Sequence, residues 1–165
     1  MIYKGIEIKR PAPQEDQEQT VPDRIIEAIL SVNDIQVPPA QAEEEAAVKM
    51  LEYRHRLQYE NMVSGIPYDQ IYGQTQETME ELQEKFLGEA VHELQIQILL
   101  QTVITKEHLT VSPEELESEA LAIAARQKIP PEMVKRFLGE GYGMLRRDLL
   151  EKKALRFLYE NAVLC

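Results

Sequence analysis

Residues 107–116 read Glu107-His108-Leu109-Thr110-Val111-Ser112-Pro113-Glu114-Glu115-Leu116, and they decide the fold. Ser112 followed three residues later by Glu115 is a capping box, and Pro113 suits the first helical position, where a missing N–H costs nothing. A helix therefore starts at Ser112. The same pattern occurs 74 residues upstream. Ile29, Leu30, Ile35, Val37, Pro39, Glu43, Glu45 and Ala46 align without a gap on Val103, Ile104, Leu109, Val111, Pro113, Glu117, Glu119 and Ala120. Each copy reads helix, polar turn, apolar-x-Val pair, proline, new helix. Two copies imply two helical arms springing from similar elbows; the competing reading is that any capped helix after a short loop has this form.

Working outward, the pattern stays helical. Asp23 is a plausible N-cap for a short helix over 24–32, with Ile25, Ile26, Ile29 and Leu30 on one side. Pro38 and Pro39 open a long helix that carries Glu43, Glu44 and Glu45 near its positive end and stops at Ser64-Gly65. Residues 67–73 form a short helical piece. A second long helix over about 76–107 carries Met79, Leu82, Phe86, Ala90 and Leu94, with Leu87, Val91 and Ile98 beside them, as a broad apolar stripe. Pro130 and Pro131 precede a short helix over 131–138 closed by Gly139. A last helix over about 141–163 has Leu150, Ala154, Leu158 and Ala162 in register. Residues 2–10 alternate loosely and suit one short strand or extended arm, and 11–23 read as a linker. The predicted class is all-α: an elongated two-armed helical domain over 24–165, arm 1 about 38–107 and arm 2 about 112–163, preceded by an extended segment and linker over 1–23.

The chain has 165 residues, 44% hydrophobic and 28% charged, with 18 basic and 29 acidic side chains and a net charge of −11. That balance opposes nucleic acid and anionic lipid, and no apolar run approaches the roughly 20 residues of a spanning helix. One cysteine, Cys165, excludes a disulfide framework. No charged-then-apolar leader is visible, so the expected compartment is the cytoplasm.

Chemistry is thin. Glu52 with His55, and Glu89 with His92, repeat the Glu-x-x-His motif of di-metal bundles. With so many glutamates such pairs arise readily, and His92 falls opposite the apolar stripe of its helix, so no metal site and no cofactor is expected. Gly139-Glu140-Gly141-Tyr142-Gly143 has the wrong spacing for a phosphate loop. No histidine lies in a triad pattern. The informative feature is the crowding of Met50, Tyr53, Leu57, Tyr59, Met62, Val63, Ile66, Tyr68, Ile71 and Tyr72 into one region. Met and Tyr make an adaptable apolar surface suited to varied partners. Equally, they could close the tip of a helical hairpin.

From Arg24 to Leu164 the sequence resembles the C-terminal domain of the bacterial trigger factor family of chaperones, whose helical core is similar to that of SurA. The carriers are Ile35-Gln36-Val37-Pro38, Gly65-Ile66-Pro67 with Tyr68 and Tyr72, Gly88-Glu89-Ala90 leading into Ile96-Gln97-Ile98-Leu99-Leu100, the stretch 107–116, and Lys153-Ala154-Leu155-Arg156-Phe157-Leu158. Tyr3-Lys4-Gly5-Ile6-Glu7-Ile8-Lys9-Arg10-Pro11 also looks like the family segment that precedes an FKBP-like prolyl isomerase domain. Here residues 11–23 stand in that domain's place, and nothing matches the family's ribosome-docking loop. The resemblance implies a non-enzymatic, ATP-independent holdase for unfolded or nascent polypeptides, with neither ribosome docking nor isomerase activity supported. The ten Met/Tyr-rich residues are its expected client surface. The alternative is a homodimeric structural module whose arms clasp each other. A di-metal enzyme is the third reading.

Overall fold

The structure is a computed structural model, and it describes residues 1–8, 21–65, 78–139 and 141–164. Among the described residues six helices follow one another: α1 (Val21–Ser31), α2 (Pro39–Ser64), α3 (Met79–Lys106), α4 (Pro113–Gln127), α5 (Pro131–Leu138) and α6 (Gly143–Glu160). Two two-residue strands, β1 (Glu7–Ile8) and β2 (Val163–Leu164), pair in parallel with Glu7 opposite Val163. The class is all-α, as the helical periodicities imply. The chain divides into two compact units: 35–97, and 1–34 with 98–165. The boundary falls inside α3.

Helix boundaries follow their caps. At α4 the Ser112 hydroxyl accepts from the Glu115 N–H and the Glu115 carboxylate accepts from the Ser112 N–H, with Pro113 first in the helix. Helix α3 has a second such box. Thr78 Oγ1 accepts from the Glu81 N–H at 3.2 Å, and Glu81 accepts from the Thr78 N–H at 2.7 Å. This box starts the helix at Met79, not near 76. Helix α2 starts at Pro39 and α4 at Pro113, so the 74-residue offset holds for the helix starts themselves. Ala42 and Leu116, again 74 apart, are both buried on the first turn. Helix α2 ends at Ser64, with Gly65 at φ +73°, a left-handed stop that a side chain resists.

Two further helix ends differ from the sequence reading. Helix α1 begins at Val21, so Asp23 lies in its first turn and is not its N-cap, and 21–23 are helix, not linker. The last helix ends at Glu160, because the Asn161 side chain donates to the Phe157 carbonyl at 2.8 Å and the Asn161 carbonyl accepts from the Gly5 N–H. Ala162 therefore lies beyond the helix, and the chain leaves it as β2. The short helical piece at 67–73 lies outside the described residues.

In the unit formed by 1–34 and 98–165, α4, α5 and α6 share a core of Val111, Leu116, Ala120, Ala124, Val134 and Leu145. Helix α1 buries Ile25, Ile26 and Ile29 and packs against α6 and β1, while Leu99, Leu100, Val103, Ala154 and Leu158 are also buried. The N-terminal segment is tied down by polar groups. Asn33 accepts from the Ile2 N–H and donates back to the Ile2 carbonyl, both at 2.7 Å. Glu107 accepts from the buried Tyr3 hydroxyl at 2.8 Å and pairs with Lys4 at 2.9 Å. These bonds hold the Glu107 carboxyl below the ordinary carboxylate range, Lys4 contributing most. Burial, then the Glu107 bond, raises the Tyr3 phenol.

Candidate functional site

The unit 35–97 is built on α2 and the first part of α3, running antiparallel. Lys49 pairs with Glu93 at 2.6 Å and with Glu89 at 3.8 Å. Its ammonium is held above the usual lysine range, chiefly by the Glu93 bond. Tyr53 meets Phe86 with ring centroids 5.5 Å apart, and Gln95 donates to the Ile35 carbonyl. Only Ile35, Ala42, Leu82, Phe86 and Ala90 are buried hydrophobics among the described residues of this unit.

Helix α2 has apolar side chains on opposite faces. Ala42, Ala46, Tyr53 and Leu57 fall on one side at about 100° per residue. Val48, Leu51, Tyr59, Met62 and Val63 fall on the other, and all five are exposed: Tyr59 by 67%, Met62 by 75%, Val63 by 72%. A surface helix normally turns its second face polar, so this outward stripe asks for an explanation.

Beside the stripe lie two grooves. One, of about 400 Å³, is lined by Ala46, Ala47, Met50 and Leu87, with Glu43 and Gln83 as its polar members. Alanines keep it open, and Met50 and Leu87 give it apolar walls. The other, of about 480 Å³, is lined by Lys49, Glu52, Tyr53, Arg56, Lys85, Phe86 and Glu89. There the Arg56 guanidinium lies 5.3 Å from the Tyr53 ring centroid. Glu52 and Glu89 of the two Glu-x-x-His motifs line this charged groove, and Glu89 is already close to Lys49. Among the described residues no group of three His, Cys, Asp or Glu side chains could hold a metal ion.

The ten Met/Tyr-rich residues are thus distributed. Met50 lines the apolar groove, Tyr53 the charged one, and Leu57 is half-buried. Tyr59, Met62 and Val63 stand on the outward stripe. Ile66, Tyr68, Ile71 and Tyr72 lie outside the described residues. Reading composition alone missed Val48 and Leu51 of the stripe, and Ala46, Ala47 and Leu87 of the groove. The signal was present: 48, 51, 59 and 62 share one helical face, which a count of Met and Tyr does not register. It also missed α5. There Met133 and Phe137 are exposed while Val134, one position on, is buried and Leu138 half-buried.

Residues 10–160 match the family model described as bacterial trigger factor protein C-terminus. Among curated relatives, trigger factor of Bacillus pumilus is 28% identical over 150 residues, covering 91% of this chain and 34% of the relative. Trigger factor of Desulfatibacillum aliphaticivorans is 26% identical over 144 residues, covering 86% and 31% respectively. The chain therefore spans about a third of the length of these relatives. A solved structure of trigger factor domains from Thermotoga maritima superposes with a TM-score of 0.61 at 19% identity, over 87% of this chain and 83% of that one, a likeness of fold.

Proposed function

Since the chain belongs to the bacterial trigger factor C-terminus family, we propose that it is an ATP-independent holdase that keeps unfolded or nascent polypeptides from aggregating. The observation that carries this reading is the outward stripe of α2. Val48, Leu51, Tyr59, Met62 and Val63 are exposed on a long helix whose other face is already packed. Burying a large apolar side chain is worth about 1.5–3 kcal/mol, so a run of five left in water is a surface waiting for apolar segments. Met and Tyr adapt to many partner shapes and discriminate weakly. The apolar groove beside Met50 and Leu87 supplies a place for a single large side chain.

No bond is made or broken in this activity, and no cofactor is needed. The net charge of −11 keeps the loaded chain dispersed. No helix among the described residues is long and apolar enough to cross a membrane, and a cytoplasmic site of action belongs to the proposal. Arm 1 over about 38–107 and arm 2 over about 112–163 are its client-holding parts.

The test is aggregation of a chemically denatured model protein on dilution. Added chain should suppress light scattering in proportion to its excess, and the triple variant Tyr59→Ser, Met62→Ser, Val63→Ser should lose most of the effect while keeping its helicity. Sedimentation of the free chain tests the rival module: a tight dimer that shields the stripe and leaves scattering unchanged would replace the holdase reading.

A further inference from the structure

The thioether sulfur of this chain is kept at its surface. All six methionines fall among the described residues, and none belongs to the core. Met62 is 75% exposed and Met144 67%; Met1, Met79 and Met133 are exposed as well, and Met50 is half-buried in its groove wall. The twenty buried hydrophobics among the described residues are Leu, Ile, Val and Ala, with one Tyr and one Phe. This reverses the usual placing of methionine, a pliable side chain that fills gaps in a core. The packed interior is therefore insulated from oxidation, the chemistry that thioethers readily undergo, while the surface is open to it.

Met62 is the methionine for which this matters most. It stands on the outward stripe of α2, with Tyr59 one turn before it and Val63 beside it, both exposed. We propose that Met62 is a site of reversible sulfoxidation by peroxide, and that its sulfoxide closes the stripe to apolar partners. This rests on the holdase reading and adds a regulation to the surface that carries it. The thioether sulfur attacks one oxygen of hydrogen peroxide, the O–O bond breaks, an S–O bond forms and water leaves with both protons. The sulfur gives up two electrons and the peroxide takes them. Hydrogen peroxide is uncharged, so the net charge of −11 does not hold it off. The product carries a strong acceptor oxygen where a soft apolar sulfur stood. An apolar segment laid on the stripe offers that oxygen no donor, and burying it unpaired opposes binding. Met62 is not part of the core, so the helix beneath it keeps its packing. Methionine sulfoxide reductases, one for each epimer, return the thioether.

The experiment treats the full chain with dilute hydrogen peroxide and maps the oxidised peptides by mass spectrometry. Met62 should oxidise among the first and Met50 last. The treated chain should keep its helical circular dichroism and melting temperature, bind less of an apolar fluorescent dye, and suppress aggregation about tenfold less well per molecule. Reductases of both epimer specificities should restore it. Each variant is judged by its own treated-to-untreated ratio. Met62→Leu should lose little on treatment, Met144→Leu should lose as much as the wild type, and Met62→Gln should resemble the treated wild type before any treatment. A Met62 that stays reduced while Met50 reacts overturns the inference. So does an equal loss in Met62→Leu and the wild type, or a melting temperature that falls with the activity. An untreated chain that suppresses no aggregation removes the holdase reading; dye binding alone then decides whether oxidation of Met62 closes the stripe.

Discussion

Glu115 serves two elements at once. It closes the capping box of α4 and pairs with Lys153 of α6, whose ammonium also donates to the Thr110 carbonyl at 2.7 Å. The Lys153 bond, then the Ser112 N–H, holds its carboxyl below the ordinary carboxylate range. Glu107 and Glu117 are lowered in the same way, by Lys4 and by Lys135. A carboxyl with a lowered folded pKa contributes stability that is present above its unfolded value and lost as pH falls through the folded one. Melting temperature followed by circular dichroism should therefore drop as pH is taken from neutral to below about 4, the ordinary carboxylate range, and Glu107→Gln should flatten that drop. Ser112→Ala should cost about 1 kcal/mol of stability, measured by urea unfolding. The box was legible because its partners lie within four residues. Lys153 was not, since nothing local marks a residue 38 positions away.

At the scale of the element, α2 and α3 show what periodicity captures and what it does not. The stripe Leu82, Phe86, Ala90 of α3 is buried as its spacing implies, and Leu94 is half-buried. Both long helices stop within a residue of where their punctuation places them: Ser64-Gly65 for α2, and Lys106 ahead of the polar turn for α3. The start of α3 was misplaced, because Thr78 was not recognised as a cap. Helix α2 was harder still, because its two apolar faces cancel and leave no single stripe to read. Leu82 is the largest fully buried side chain among the described residues of its unit. Leu82→Ala should cost about 2–5 kcal/mol, seen as loss of helical signal at lower urea, whereas Leu87→Ala, at an exposed groove wall, should cost far less.

At the scale of the whole molecule, burial among the described residues is lopsided: fifteen of the twenty buried hydrophobics lie in residues 1–34 and 98–165, and five in 35–97. A thin core opens more readily, and local opening sets amide exchange. Backbone amides in the middle of α2 should exchange about tenfold or more faster than those of α1 and α6, as hydrogen–deuterium exchange mass spectrometry would resolve. Uniform protection across both units would contradict this. The family's long-range order of motifs made the helical body legible. The docking of Tyr3 and Lys4 on Glu107, over a separation of about a hundred residues, was not, because only the folded chain brings those groups together.

The parallel pairing of Glu7–Ile8 with Val163–Leu164 also bears on how the protein is made. A ribosome emits residue 7 well before residue 163, at roughly 5–20 residues per second. The opening strand must then wait on the order of ten seconds for its mate, with Tyr3 and the apolar side of α1 still wet. The segment 35–97, continuous in sequence, is free to assemble during that interval. The unit of 1–34 and 98–165 thus closes only after the segment 35–97 has had time to fold.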